Sequence, residues 1–449
     1  MEVAEIYHLY RRAGFGISPK DVAPLRPLSR EEVVTKLFQA SAAVSPLPLD
    51  LSAYHTFFAN NPSPKYSNFK NVVRQNKDLQ FDLNKAWFER ICNPSEALNE
   101  RMTLFWANVF VCKDNVVLYM YQFNELLRKH ALGNFREFVS AVSKEPAMMR
   151  YLDTNHNKKD QPNENFAREL LELFTLGVGN YSEADIKEAA RAFTGYSFHL
   201  DGRFRLRKRQ HDFGMKSFMG WNNTLHGDDI INIICKQRQC ARYISEKLYR
   251  YFVNEKINET HVEALTDVFY KDYDIKAVLY YMFTADWFYE AVNMGNKIKS
   301  PLDLLSSMYR IVPFEFNGEK EAVYIQRITG QQLLQPPNVA GWEGGKSWID
   351  TNTMLIRLKL PAILLGDGRV PMENNSWGIK RKPFGNRLQV MHDWERFEEV
   401  YGTMSSEEFV TAVLARPLTH GTRTLLQQQR SSRKDFCLQL MSLPEFQLT

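Results

Sequence analysis

Residues 96–112, EALNERMTLFWANVFVC, are the stretch of this sequence that decides the fold. Its apolar residues fall almost all the way round a helical wheel, and a helix that is apolar on every side is buried. We therefore predict a central, buried helix. Its polar residues Glu100, Arg101 and Asn108 then need partners inside the protein, because a buried charge or amide without one is costly.

Helical periodicity also dominates the rest of the chain. The only clear β signal is Asp201-Gly202 between two alternating runs, which predicts one small β-hairpin at about 196–206. Long irregular loops are expected at three stretches without periodicity: 41–64, 335–348 and 366–386. The sequence thus predicts a mainly α, multi-helical fold.

The length of 449 residues exceeds that of one ordinary domain. We predict a helical domain over residues 1–360. Residues 361–449 would begin as an irregular segment and continue as C-terminal helices packed on that domain. The alternative is a single large domain.

Composition excludes several classes of protein. The net charge of +5 is small for the length, so we expect no nucleic-acid partner. The five cysteines contain no C-x-x-C pair, which predicts buried thiols rather than a disulfide framework or a thiolate zinc site. No run approaches the length of a transmembrane helix. The N-terminal residues MEVAEIYHLYRRAGFG lack an apolar leader, which predicts a cytoplasmic protein as written, or an exported one if the N-terminus has been trimmed.

Residues 153–164, DTNHNKKDQPNE, resemble a calcium-binding loop at both ends. An EF-hand loop has oxygen ligands at positions 1, 3 and 5 and a glutamate at position 12. Lys158 occupies the position where that loop requires glycine, which counts against the match. Calcium or another divalent cation is therefore one hypothesis for this loop. It would use four side chains: Asp153, Asn155, Asn157 and Glu164.

A helix follows this loop. Asn163 is predicted to cap it and Gly177 to end it. Glu164, Arg168 and Glu172 lie four residues apart and would form a ladder of ion pairs. Such a ladder usually marks a solvated helix face without chemistry.

Glu169 lies at the edge of that polar face, next to Leu173 and Leu176. A carboxyl group half covered by leucines has a raised pKa unless a cation is close, and enzymes prepare a general acid in this way. We therefore treat Glu169 as a candidate proton donor or base. Arg168 and Asn165 beside it would hold a polar or anionic part of a substrate.

Two further groups are candidates. His211 and Asp212 follow the predicted hairpin and could supply a second base or a metal ligand, although neighbouring residues of a strand point to opposite faces. His8 and Arg12 could form an anion-binding patch. The plain alternative for His8 and Arg12 is a solvated N-terminal helix.

The loop QPPNVAGWEGGKSW, residues 335–348, combines two tryptophans with polar residues and glycines. Indole rings beside amides suit a flat, polar ligand such as a sugar. Asn338, Trp342 and Trp348 are the candidate substrate-binding residues here. Equally, the tryptophans could fill the core while the glycines make tight turns.

Several spaced blocks carry a family resemblance, and they cover most of the chain up to about residue 360. They are HLYRRAGFG (8–16), ERMTLFW (100–106), HALGNFREF (130–138), the long block 151–196 that begins YLDTNHNKKDQPNENFAREL, RQHDFGMKSFMG (209–220) and QPPNVAGW (335–342). With these blocks the chain resembles the bacterial domain of unknown function 1800 (DUF1800) family. The family has no settled activity. The resemblance implies export of many members and a partner protein with a phosphatase/sulfatase-like fold.

This chain departs from the family pattern at residues 105–110. Members commonly have FWHNHF, whereas this chain has FWANVF, with Ala107 and Val109 in place of two histidines. If those histidines bind metal or move protons in relatives, this protein has lost that part of the site.

Two functional hypotheses follow. The first is a carboxylate- or metal-assisted hydrolase that acts on a polar polymer such as a glycan. The second is a non-catalytic binding or partner protein with a degenerate site.

Overall fold

A computed structural model describes residues 1–366, 390–428 and 432–449 of the chain. The fold is mainly α, as predicted. The helices of the first 130 residues are α1 Val3–Ala13, α2 Pro19–Val22, α3 Arg30–Ala40, α4 Ser52–Asn60, α5 Tyr66–Gln75, α6 Leu79–Cys92, α7 Ala97–Val109 and α8 Val117–His130.

The remaining helices form two further groups. Those of the middle of the chain are α9 Phe135–Val142, α10 Pro146–Tyr151, α11 Asn165–Glu169, α12 Glu183–Ala192, α13 Gly227–Ile234, α14 Arg238–Phe252, α15 Glu259–Asp272 and α16 Ile275–Thr284. Those of the C-terminal third are α17 Pro301–Ile311, α18 Glu319–Ile328, α19 Thr351–Leu365, α20 Trp394–Tyr401, α21 Ser406–Val413, α22 His420–Gln428 and α23 Arg433–Met441.

Helix α7 is the predicted buried helix, and residues 98–106 are all buried. Glu100 forms an ion pair with the buried Arg128 and accepts a hydrogen bond from Trp87 Nε1 at 3.1 Å. The buried carboxylate therefore has both a charge partner and a neutral donor, which offsets the cost of removing it from water.

The other two polar residues of α7 also have partners. Arg101 Nη1 lies 2.6 Å from Asp303 Oδ1. The Asn108 side chain donates to the carbonyl of Trp342 at 2.9 Å and accepts from its N–H at 2.7 Å. The prediction that these buried polar groups require partners is confirmed, and Asn108 fixes the 335–348 loop to the end of α7.

Within residues 1–366, 390–428 and 432–449, three two-stranded antiparallel sheets accompany the helices. Strands β1 Tyr196–Phe198 and β2 Phe204–Leu206 form the hairpin predicted at about 196–206. The prediction of one hairpin was incomplete, because β3 Lys216–Phe218 pairs with β4 Trp221–Asn223, and β5 Phe314–Phe316 pairs with β6 Val390–His392.

Residues 41–64 were predicted to be irregular, and this was wrong for α4. Tyr54, Phe57 and Phe58 of α4 pack on Phe69 of α5, with ring centroids 5.7–6.2 Å apart. These aromatic contacts stabilise a short helix in a stretch whose serines and prolines favour loops.

The helix after the predicted calcium loop differs from a regular α-helix. Helix α11 continues as a π-helical turn, Leu170–Thr175, in which the N–H of Leu176 donates to the carbonyl of Leu171 at 2.9 Å. The chain leaves this turn at Gly177 with φ 82°, as predicted. The start is one residue later than predicted: Asn163 Oδ1 accepts from the N–H of Asn165, and residue 164 holds the cap position.

The C-terminal helices pack on the rest of the protein. Buried apolar residues from Ile6 to Phe446 form one cluster, and the backbone of Thr449 pairs with that of Lys297. Residues 367–389 of the predicted irregular segment lie outside the described residues, and the predicted boundary at 360 falls inside α19. No helix within the described ranges is long and apolar enough to cross a membrane.

Candidate functional site

Glu169 is the last residue of α11, directly before the π-helical turn. Its side chain is half-buried and has no hydrogen bond or ion pair with any residue that the structure describes. Burial raises the pKa of its carboxyl group, Glu172 raises it further, and Arg168 lowers it. Glu169 therefore holds a proton to a higher pH than an ordinary glutamate does.

Arg168 is turned away towards the surface. Its guanidinium pairs with Glu164 at 3.1 Å and with Glu183 at 2.9 Å. The first rung of the predicted ladder is thus present. The second is replaced, because Glu172 accepts a hydrogen bond from the Tyr181 hydroxyl at 2.8 Å.

Glu145 is a second carboxyl group of the same kind, and sequence reasoning missed it. It occupies the N-cap position of α10, before Pro146. Its Oε2 is buried without a hydrogen-bond partner among the described residues, and burial raises its pKa to about 7. A glutamate before proline at a helix start is an ordinary surface pattern, so the sequence held no signal of this burial.

Cys112 and Tyr151 are connected electrostatically to these two carboxyl groups. Burial raises the pKa of the Cys112 thiol, and Asp114 and Glu145 raise it further. Burial also raises the pKa of the Tyr151 hydroxyl, and Cys112 and Glu169 raise it further. These effects connect Glu145 to Cys112, and Cys112 and Glu169 to Tyr151, in one electrostatic neighbourhood.

A small pocket of about 20 Å³ adjoins this neighbourhood. Ala107, Cys112, Asn124 and Trp342 are among the residues that line it. The Nδ2 of Asn124 is buried without a hydrogen-bond partner in the described part of the chain. A pocket of this volume has room for about one water molecule, for which Asn124 Nδ2 would be a donor.

The 335–348 loop is held closely against α7. Gly341 has φ 79°, and a Cβ atom at this position would overlap Asn108. Trp342 and Trp348 are only 8% and 9% exposed, so neither ring offers an open face for stacking on a sugar. Asn338 Oδ1 accepts from the N–H of Ala340 inside the loop itself.

His211 is buried after the first hairpin. Its Nδ1 lies 2.7 Å from the carbonyl of Thr194, so this nitrogen is the donor, and its Nε2 lies 2.7 Å from Nδ1 of His226. Burial lowers the pKa of His211. In the described residues no contact joins His211 to Glu169, and the sequence held no signal for the pairing with His226.

Asp212 has no hydrogen bond to His211 among the contacts of the described residues. Its carboxylate accepts from Arg191 Nε at 2.7 Å and from the N–H of Gly214 at 2.8 Å. Asp212 therefore anchors Arg191 and the turn that leads to β3. Asn165, the remaining predicted contact near Glu169, is exposed at the first turn of α11.

His8 and Arg12 are buried on α1, rather than on a solvated helix. His8 Nε2 lies 3.1 Å from the carbonyl of Phe288, and burial holds its pKa well below the ordinary value. Arg12 Nη2 donates to the carbonyl of Asn293 at 3.0 Å and to the Asn296 side chain at 2.5 Å. The two residues belong to a buried region far along the sequence from Glu169.

The predicted calcium ligands have other partners. Asn157 is buried, donates to the carbonyl of Ala190 and accepts from the N–H of Asn163. Glu164 pairs with Arg168, and Asp153 lies 3.5 Å from a nitrogen of His156.

The side chain of Asn155 points to His156 through a long contact of 3.5 Å, and its Oδ1 has no partner among the described residues. Within the described ranges, no group of three or more His, Cys, Asp or Glu residues is placed to hold a metal ion. Asn157 and Glu164 are therefore engaged with partners inside the protein in this arrangement.

The model of one protein family, described as "Protein of unknown function (DUF1800)", matches residues 8–448. The chain belongs to the DUF1800 family. No curated protein and no solved structure matches the chain. In this family member, Ala107 lines the small pocket and Val109 is buried in the core. Ala107, one of the two positions where the FWHNHF pattern has histidine, thus lies beside Cys112 at this pocket.

Proposed function

We propose that this protein is a hydrolase that uses two carboxyl groups, Glu145 and Glu169, on a polar polymer such as a glycan. The supporting observation is that neither group has a cation partner among the described residues while both have raised pKa values. Most enzymes that hydrolyse glycosides use a pair of carboxyl groups, one as an acid and one as a base.

The surroundings suggest a role for each group. Glu145, with a pKa of about 7, keeps its proton near neutral pH and would donate it to the leaving oxygen as the bond to that oxygen breaks. Glu169 is more open to solvent and would take a proton from the attacking water. This assignment puts Glu145 in the place of His211, which the sequence suggested as the second base beside Glu169.

A divalent cation stays a separate hypothesis for the 153–164 loop. Binding there would require Asn157 and Glu164 to give up the partners described above. A calcium titration of the purified protein by calorimetry tests it directly. Stoichiometric binding that is lost in Glu164→Ala would establish the site.

The test of the hydrolase is a screen of aryl glycosides and soluble polysaccharides for release of reducing ends. We expect wild-type protein to cleave at least one substrate, and E145Q and E169Q each to lower kcat by about 100-fold or more, since general acid–base catalysis contributes that much. E137Q, at an exposed glutamate of α9, is the matched control and should retain activity. Cleavage that survives in both E145Q and E169Q would contradict the assignment.

A binding protein with a degenerate site is the second candidate. Ala107 and Val109, where the FWHNHF pattern has histidines, favour it, because neither side chain can bind a metal or move a proton. Such a protein would bind a glycan, or the phosphatase/sulfatase-fold partner that the family resemblance implies, without turnover. Saturable binding of a polysaccharide with no release of reducing ends would favour this candidate over the hydrolase.

A further inference from the structure

Basic side chains gather near Asp303, the third residue of α17. Arg101 pairs with Asp303, Arg12 donates to Asn296 next to Lys297, and Arg357 donates to the carbonyl of Lys299. Each of these bases also affects Asp303 or is affected by it electrostatically. We call this group the basic cluster. Its members are Arg12, Arg101, Lys297, Lys299 and Arg357.

Asp303 matches only one of these charges. Its Oδ1 pairs with Arg101 at 2.6 Å, and its Oδ2 accepts from the N–H and the hydroxyl of Ser300 at 3.2 and 2.8 Å. Glu255 affects Arg12 and Lys297 but is exposed. The cluster therefore contains fewer carboxylates than positively charged side chains.

The other four cations have no carboxylate within ion-pair distance among the described residues. Lys297 Nζ donates to the carbonyl of Arg250 at 2.6 Å, and Lys299 Nζ lies 3.7 Å from the ring centroid of Phe446. Arg357 donates to the carbonyl of Lys299 at 2.7 Å. Carbonyl groups and rings satisfy donors, but they do not neutralise a buried charge.

Several guanidinium nitrogens also lack a hydrogen-bond partner. Arg12 is 3% exposed, and its Nε and Nη1 are both buried and free of partners in the described part of the chain. The same holds for Nη1 of Arg357, which is fully buried.

The uncompensated charge is reflected in the acid–base properties of the cluster. Burial lowers the pKa of Arg12 to about 9, that of Lys297 to about 8 and that of Arg357 to about 10. A bound anion would restore these values, because an opposite charge favours the protonated form of each base.

We propose that the basic cluster binds a tetrahedral oxyanion, phosphate or sulfate, either free or as an ester group on a larger ligand. An oxyanion supplies the two things that the cluster lacks: negative charge, and several acceptor oxygens in a small volume. Water could satisfy the free N–H groups but would leave the charges unmatched. This site goes beyond the proposed hydrolase and does not depend on it.

The edge of the cluster near Lys297 is where a ligand would enter. Asn296 and Lys297 are half-buried, and Glu255 beside them is exposed. A Cβ atom on Gly345 would lie 2.5 Å from Glu255 Oε1, so the 335–348 loop borders this edge. Asn108, which holds that loop, lies on the same face of α7 as Arg101 and about 10 Å further along the axis.

The experiment is a titration of purified full-length protein with sodium phosphate and with sodium sulfate, at ionic strength held constant with sodium chloride. Calorimetry gives Kd, and thermal unfolding gives a Tm that rises with the logarithm of anion concentration once sites fill. We expect saturable binding to wild-type protein and a Kd weakened by about tenfold or more in R12Q and K297M, since each removes a charge-assisted donor.

R30Q is the matched control, because Arg30 is also on the N-terminal half but pairs with Glu5 and Asp286 outside the cluster. It should bind phosphate as wild-type protein does. If R12Q does not fold, K297M decides, because Lys297 is half-buried and its loss opens no large cavity. Absence of saturable binding in wild-type protein, or equal Kd values for wild-type and K297M, would overturn the proposal.

Competition identifies the source of the oxyanion. Displacement of bound phosphate by dextran sulfate, but not by unmodified dextran, would indicate an ester group on a polymer. Binding of phosphate or sulfate that dextran sulfate leaves intact would indicate a free ion. Both results require the saturable binding above and therefore support the site.

Discussion

Glu145 and Glu169 are both glutamates without a cation partner, but they are covered to different degrees. The Oε2 of Glu145 is fully buried, whereas Glu169 is half-buried at the start of the π-helical turn. A buried carboxylate without donors favours its protonated form, so Glu145 has the larger upward change in pKa. The same burial that suits a proton donor also makes ionisation of this group destabilise the folded protein.

The free energy of unfolding should therefore depend on pH through Glu145. Its pKa rises from the ordinary value of 4.5 to about 7 on folding, so between these values the folded state keeps a proton that the unfolded state has lost. Stability from this group is complete below pH 4.5 and is lost as pH rises through 7. Between pH 4 and pH 8, E145Q should gain on the order of 2–3 kcal/mol relative to wild type.

Urea unfolding of both proteins at pH 4 and pH 8 measures this difference. E137Q should show no such change, since Glu137 is exposed. A difference between E145Q and wild type that is the same at both pH values would mean that Glu145 is not held in its protonated form.

For individual residues, the sequence predicted part of the site. Glu169 could be found because leucines border it on a helical wheel, and Arg101 because it sits in an apolar helix. Arg357 carried the same signal, as a lone arginine in the apolar run of α19, and was missed. Glu145 and Lys297 carried none, because their burial arises from contacts between segments distant in the sequence.

Among the elements, α7 joins the two regions of interest. Its Arg101 belongs to the basic cluster, its Ala107 lines the small pocket, and its Glu100 pairs with Arg128 in the core. The buried charges of such a helix require partners of opposite charge. Its ion pairs therefore fix the relative positions of α7, α8 and α17.

R128M should lower the free energy of unfolding by about 3–5 kcal/mol, because it leaves Glu100 buried without its charge partner. E100Q/R128M should recover a large part of this loss. The glutamine introduced by E100Q is neutral, and its amide oxygen could still accept from Trp87 Nε1. Chemical denaturation of the three proteins checks this, and a double variant less stable than R128M would refute it.

Periodicity predicted most helices, since their apolar faces pack on the core. The Asp201-Gly202 signal predicted the first hairpin, but the second turns at Met219-Gly220, where Met219 adopts φ 46°. Methionine is not a typical residue for that conformation, so sequence rules miss the turn. The β5–β6 pair joins residues about 75 positions apart, which local patterns do not report.

At the scale of the whole molecule, the C-terminal helices share one buried cluster with the rest of the described chain. Phe397, Phe409, Phe436 and Phe446 belong to the same buried cluster as Ile6. Removal of these residues would expose a large apolar surface on the remaining chain. The backbone pairing of β5 with β6 would be lost as well.

A chain of residues 1–366 should therefore be insoluble or bind hydrophobic dyes strongly. Expression of this fragment beside the full chain, followed by dye binding and near-UV circular dichroism, provides the measurement. A soluble fragment with native-like near-UV signal would instead support the division near residue 360 that the sequence suggested.

The π-helical turn after Glu169 has a consequence for comparison among relatives. Each turn of a π-helix encloses one residue more than an α-helical turn, so Leu170–Thr175 holds a spare position. A relative that lacks one residue here could keep a plain α-helix without disturbing either flank. When DUF1800 sequences are aligned, a single-residue gap in this helix belongs between 170 and 175, and side chains beyond it should be matched by structure rather than by count from Glu169.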